Sequence, residues 1–199
     1  INHHQIPFCD AMYRAPGSEF HFIQTQPMAQ ERVQMGWSAD LKKTPYVSLL
    51  YEDEAGCREL IRSSDIVLLG WSGREDLDRM RLQTGRPTLR ISERIYREGQ
   101  WKAISPRGLA AKYREHFRYR RQPVYLLCSG AYVASDFHLI HCYPGKMFRW
   151  GYFPETLHYD ENQFRELKSH SGTVDIAWAG RMITLKHPEY AIRLAQTLK

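Results

Sequence analysis

The chain has 199 residues, 43% hydrophobic and 25% charged, with a formal net charge of +6 and a pI of about 9.2. That length suits one large domain, or one domain with part of another, and no apolar run exceeds six residues, which excludes a membrane-spanning helix. The basic balance favours anionic partners such as phosphates, acidic lipid head groups or nucleic acid, fits a merely solvated basic surface equally well, and carries no information on fold. Cys9, Cys57, Cys128 and Cys142 lie far apart with no C-x-x-C pair. This argues against a zinc ribbon or disulfide framework and for buried thiols in a reducing cytoplasm.

From the start, Pro7 with Phe8, Cys9, Ala11 and Met12 predicts a first helix. In a doubly wound sheet a strand is then expected ahead of Ile1, which is not a start methionine, so the chain reads as part of something longer. Residues 19–24 alternate as a strand, 25–45 read as polar and irregular, and 46–51 as a second strand. A helix over 54–63 leads to Ile66-Val67-Leu68-Leu69-Gly70, a continuous apolar run suited to a parallel strand buried on both faces. Then come a helix at 74–83, a strand at 88–92, a long helix from Ser105-Pro106 to Arg120, a strand at 123–128, a helix at 131–141 and a short strand within 146–152. Residues 1–154 read as a first domain, 155–172 as a linker with a helix at 161–168, and 173–199 as the start of a second domain. That second domain opens with the run Val174 to Ala179, then Gly180-Arg181, Lys186 and a helix beginning at Pro188. Strands alternating with helices across long connections predict an α/β fold, with a Rossmann-like, mostly parallel sheet and helices on both faces, followed by the first βα unit of a second such domain.

Ligands of such sheets sit beyond the carboxyl ends of the strands. At Gly180, an apolar run, a glycine and a helix start make a turn where phosphate can meet backbone N–H groups, and Arg181 and Lys186 add two cations beside it. Two readings stand on these residues, the diphosphate of a nucleotide-activated sugar and a solvated Arg-Lys pair at a domain surface, and the residues alone put the solvated pair ahead. Cations aimed at a departing diphosphate lower the barrier as charge develops, and losing one such stabiliser typically costs about 10²–10³ in rate. His3-His4-Gln5 precede a helix start and suit either an anion or a frayed polar terminus. Glu93, just past a strand, could orient an acceptor hydroxyl or act as a base, while Ser92-Glu93 also fits a helix N-cap with a first-turn acid. Ser129-Gly130 fits a tight strand–helix turn. His138, His141 and Cys142 share metal-like spacing, but the interleaved Leu139 and Ile140 read as core and no metal is expected. The helix beginning at Pro106 carries Arg107, Lys112, Arg114, Arg118, Arg120 and Arg121 with Tyr113, Phe117 and Tyr119 between them, which fits a solvated face or peripheral contact with an anionic membrane.

An ordered series of short motifs adds to this reading. It comprises His3-His4-Gln5-x-Pro7, Ser64-Asp65-Ile66-Val67, Ser92-Glu93-Arg94-Ile95-Tyr96, and Cys128-Ser129-Gly130-Ala131-Tyr132-x-x-x-Asp136. It continues with Lys146-x-Phe148-x-Trp150-Gly151-Tyr152-Phe153-Pro154-Glu155 and Gly180-Arg181 followed by Lys186-His187-Pro188-Glu189. The chain thereby resembles bacterial family-4 glycosyltransferases of the two-Rossmann GT-B type. The resemblance implies an acceptor-side domain, a donor-side domain and a cleft between them. It implies metal-independent, retaining transfer from a nucleotide-diphosphate sugar, with no cofactor, to a saccharide or lipid-linked acceptor. Gly180, Arg181 and Lys186 would touch the donor diphosphate; Ser92 and Glu93 stand where the family commonly has a cleft residue, often His; and His4 lies on a first loop that lines the cleft. The family's paired glutamates are expected beyond Lys199, so the fragment is expected to be inactive alone. A cytoplasmic protein, peripheral to the inner face of the membrane, is the expected setting. A basic nucleic-acid-binding α/β module is the alternative, suggested by charge alone, with no RNA-binding signature in its favour. A Rossmann dehydrogenase would need a G-x-G-x-x-G turn, and none is present.

Overall fold

A computed structural model of the chain describes residues 1–37, 43–70, 72–97, 99–169, 176–180 and 182–198. Residues Ile1–Glu155 form one unit and Thr156–Lys199 another. In the first, the chain runs α1 (Ile6–Tyr13), β1 (Phe22–Gln24), α2 (Gln30–Gln34), β2 (Val47–Leu49), α3 (Glu54–Ser63), β3 (Val67–Leu69), α4 (Glu75–Gln83) and β4 (Thr88–Ser92). It continues with α5 (Pro106–Glu115), β5 (Val124–Ser129), α6 (Val133–Leu139) and β6 (Met147–Trp150), with 3-10 turns at Gln100–Ile104 and Phe117–Tyr119. Among the described residues the strand pairings are parallel: β1 with β2, and a four-stranded sheet in the order β3-β4-β5-β6. The fold is α/β, with parallel sheets flanked by helices.

The four strands step in one direction, and right-handed crossovers then put their connecting helices on one face. The packing agrees: Val124, Leu126 and Cys128 of β5 share a buried cluster with Leu82 of α4, Tyr119, and Val133 and Phe137 of α6. On the other face, register sets Leu127 beside Phe148 and Ser129 beside Trp150, and Phe8 of α1 meets Trp150 edge-on at 5.5 Å. A second cluster of Leu50, Cys57, Ile61 and Leu77 takes in Ile23, joining β1 to α3 and α4. Helix starts follow local chemistry: the Asp53 carboxylate accepts the Gly56 N–H at 2.9 Å, and Ser105, followed by Pro106, accepts the Gly108 N–H at 3.4 Å.

Arg81 of α4 is fully buried. Its guanidinium donates to the carbonyls of Ile61, Arg62, Ser64, Asp65 and Pro87 and to the Thr88 hydroxyl, at 2.7 to 3.3 Å. One side chain thereby fastens the end of α3 and the entries to β3 and β4.

Several expectations need correction. The polar stretch 25–45 carries a short helix, α2, none of whose residues is buried. The long helix expected to Arg120 stops at Glu115, because His116 leaves helical backbone (φ −132°) and is itself buried, its ring against Tyr143 and Phe137. The helix expected to residue 141 stops at Leu139, with His141 and Tyr143 both at φ +51°. His138, His141 and Cys142 therefore do not share one helix, and Leu139, read as core, is exposed.

The second unit carries α7 (Glu161–Ser169), a 3-10 turn at Thr184–Lys186 and α8 (Pro188–Thr197). The strand expected over 174–179 falls partly outside the described residues, and Ile176 to Gly180 are not strand. The physical reason is partnership: a strand needs a neighbour for its N–H and C=O groups, and no other strand occurs among the described residues of this unit.

Candidate functional site

At the carboxyl end of β4 the chain opens a cleft of about 360 Å³ lined by Ser92, Glu93, Arg94, Ile95, Arg97, Lys102 and Lys112. Register sets Ser92 beside Cys128, and β5 then turns away at Ser129-Gly130, where Gly130 takes φ +132°. That positive φ suits glycine, in keeping with the tight turn expected there.

A buried carboxylate shapes the cleft from behind. Asp136, in the first turn of α6, has no exposed surface. It accepts both arms of the Arg94 guanidinium at 3.0 and 3.1 Å, the Tyr96 N–H at 3.2 Å and the Gln100 amide at 3.1 Å. Burial alone would raise its pKa, but the donors from Arg94, Gln100 and Tyr96 outweigh it and hold the carboxyl below its ordinary value. Arg94 also lies over the Tyr132 ring, 5.5 Å from its centroid. Asp136→Asn is expected to cost about 2 kcal/mol of stability and to speed proteolysis between Glu93 and Gln100. Urea unfolding and timed digestion measure the two effects.

Glu93 lines the cleft with both oxygens engaged. One accepts the Tyr152 hydroxyl at 2.8 Å, and the other pairs with Arg97. The bond to Glu93, with partial burial, pushes the Tyr152 phenol above its usual value. Ser92 donates to the Glu93 carbonyl at 2.8 Å, and residues 93–97 are not helical, so the N-cap reading of Ser92-Glu93 is not what forms. Lys112 pairs with Glu115 at 2.6 Å, and the Lys102 ammonium lies 5.6 Å from the Trp101 ring centroid. The lining is thus cation-rich but largely paired, and an incoming anion has to compete with carboxylates already in place.

No protein-family model, curated protein or solved structure matches this chain.

The other residues singled out in the sequence lie elsewhere. His4 is exposed and does not line the cleft; its ring sits 3.8 Å from that of His3 and 5.8 Å from that of Trp37. Arg181 lies outside the described residues. Gly180 is exposed, and a Cβ there would meet the Trp178 ring at 3.0 Å. Lys186 is exposed in the 3-10 turn before α8. At the start of α8, His187 (φ +48°) pairs with Glu189 at 2.8 Å and stacks on Tyr190 at 4.9 Å. The hydrogen bond from His187 draws the Glu189 carboxyl below its ordinary value, so that helix start already holds an acid of its own. Among the described residues, no three His, Cys, Asp or Glu side chains gather as a metal cluster, and no helix is long and apolar enough to cross a membrane.

Arg97, Lys102, Tyr152 and Asp136 are parts of this site that sequence reasoning did not assign to it. A partial signal existed for two of them: Tyr152 and Asp136 each fall within one of the quoted motifs.

Proposed function

We propose that the chain belongs to a glycosyltransferase of the two-domain GT-B kind, in which Ile1–Glu155 receives the acceptor and the segment around Gly180, Arg181 and Lys186 meets the diphosphate of a nucleotide-sugar donor. The observation that carries the reading is the cleft beyond the carboxyl end of β4 in an all-parallel α/β unit, with a carboxylate and four cations in its lining. Glu93 then orients an acceptor hydroxyl through the lone pairs that Tyr152 and Arg97 leave free. Arg181 and Lys186 neutralise the charge that grows on the leaving diphosphate. The acceptor is a saccharide or a lipid-linked saccharide, and the work is polysaccharide or glycolipid synthesis at the cytoplasmic face.

Titration calorimetry of the 199-residue chain with uridine, guanosine and adenosine diphosphate sugars tests this. Saturable binding to one of them is expected, weakened about tenfold or more by Arg181→Ala with Lys186→Ala. Unchanged affinity in the double variant would overturn the reading.

A further inference from the structure

Between residues 100 and 122 the chain carries seven Lys and Arg side chains against one acid, Glu115. The same stretch exposes large apolar groups: Trp101 at 68%, Ile104 at 80%, Leu109 at 41% and Tyr113 at 56%. Helix α5 has no buried residue. Scattered apolar residues on a surface need no explanation, but four within thirteen positions, interleaved with cations, do. Local contacts couple the two kinds of group, since Lys102 lies by the Trp101 ring and Arg120 sits 4.2 Å from the Phe117 ring centroid.

We propose that the Gln100–Ile104 turn and α5 form a docking surface for an anionic lipid bilayer. Trp101 and Ile104 enter the head-group and upper acyl region, Leu109 and Tyr113 extend that contact along α5, and Arg107 and Arg114 pair with lipid phosphates. Charge complementarity selects this occupant. A second copy of the chain would bring the same cations against themselves. Nucleic acid would use the cations and the aromatic rings but gain nothing from Ile104 and Leu109, which offer no stacking surface for a base. The proposal stands independently of the sugar-transfer reading. Lys102 and Lys112 also line the cleft at the end of β4, so a lipid head group held on this surface lies beside that cleft.

Cosedimentation of the full chain with phosphatidylcholine vesicles, with and without phosphatidylglycerol, tests it. The chain should pellet with the phosphatidylglycerol vesicles, stay in the supernatant with pure phosphatidylcholine, and release as salt rises. Trp101→Ser with Ile104→Ser should lower the partition coefficient by about tenfold or more. Arg107→Glu with Arg114→Glu should remove the preference for anionic vesicles. All four side chains are exposed, so unchanged melting temperatures should accompany both losses. Three results would overturn the proposal: equal pelleting with neutral and anionic vesicles, undiminished pelleting of either double variant, or a Trp101/Ile104 variant that alters only self-association or RNA binding.

Discussion

Arg81→Met is expected to be strongly damaging, lowering unfolding free energy by about 4 kcal/mol. The carbonyls of Ile61 and Arg62 belong to the last turn of α3, where no intrahelical donor remains for them. Those of Ser64 and Asp65 lead into β3, and that of Pro87 into β4. A single buried guanidinium supplies donors to all five. Methionine keeps the apolar stem but is shorter and has no donor, so the substitution leaves the carbonyl of buried Ile61 and the Thr88 hydroxyl without that donor, at about 1–3 kcal/mol each, and the more exposed carbonyls beside them at less. Pro87 is partly spared, because its carbonyl also accepts the Val67 N–H at 3.3 Å. Against a domain stability of about 5–15 kcal/mol, the loss is large. Arg81→Lys should recover only part of it, since one ammonium cannot span the positions the planar fork reaches. Urea unfolding of the three proteins measures the ranking, and a Met variant within about 1 kcal/mol of wild type would show that water replaces the guanidinium.

Arg81 also marks where sequence reading stops. In the string it is one more cation on a charged helix, and nothing in its spacing says that it faces five carbonyls. What was legible depended on local signals. Ala55, Leu60 and Ile61 on one side of a helical stretch placed α3, and the stretch Thr88 to Ser92, after Gly85 and Pro87, placed β4 with Glu93 just past its end. The rest of the cleft is long-range. Tyr152 reaches Glu93 across 59 positions, and Asp136 reaches Arg94 across 42, so neither partnership leaves a trace in local periodicity. The end of α5 is another case. Lys112 to Arg120 keep helical composition, yet His116 leaves the helix because its ring is taken into the core beside Phe137 and Tyr143. The reading placed six cations on that helix and left open whether they face water or a partner, because exposure of Trp101 and Ile104 is a property of packing and not of spacing.

His116 gives the second large effect, an acid-sensitive core. Its Nδ1 lies 2.7 Å from the Tyr143 hydroxyl and 3.2 Å from Arg90 of β4, and its Nε2 is 3.5 Å from Glu115. Burial, with the nearby charges of Arg90 and Lys112, pushes the imidazole from 6.5 down to about 4, although Glu115 pulls the other way. The neighbours keep their states across that window: the hydrogen bond from His116, helped by Lys112, holds Glu115 down to about 2, and burial lifts Tyr143 to about 12. The folded chain therefore binds fewer protons at His116 than the unfolded chain does. The stabilisation is fully present above the unfolded value and drains as pH falls toward the folded one. A shift of that size corresponds to about 3 kcal/mol, lost between pH 6.5 and about 4. Unfolding free energies measured by urea at several pH values across this window should show the decline. In His116→Gln, the amide oxygen can still accept the Tyr143 hydroxyl but binds no proton, so the variant should be less stable near neutrality and its profile flatter across the same window. Parallel profiles for wild type and variant would move the acid sensitivity to other groups; a flattened one assigns it to a single imidazole wedged between α5 and the Tyr143 turn.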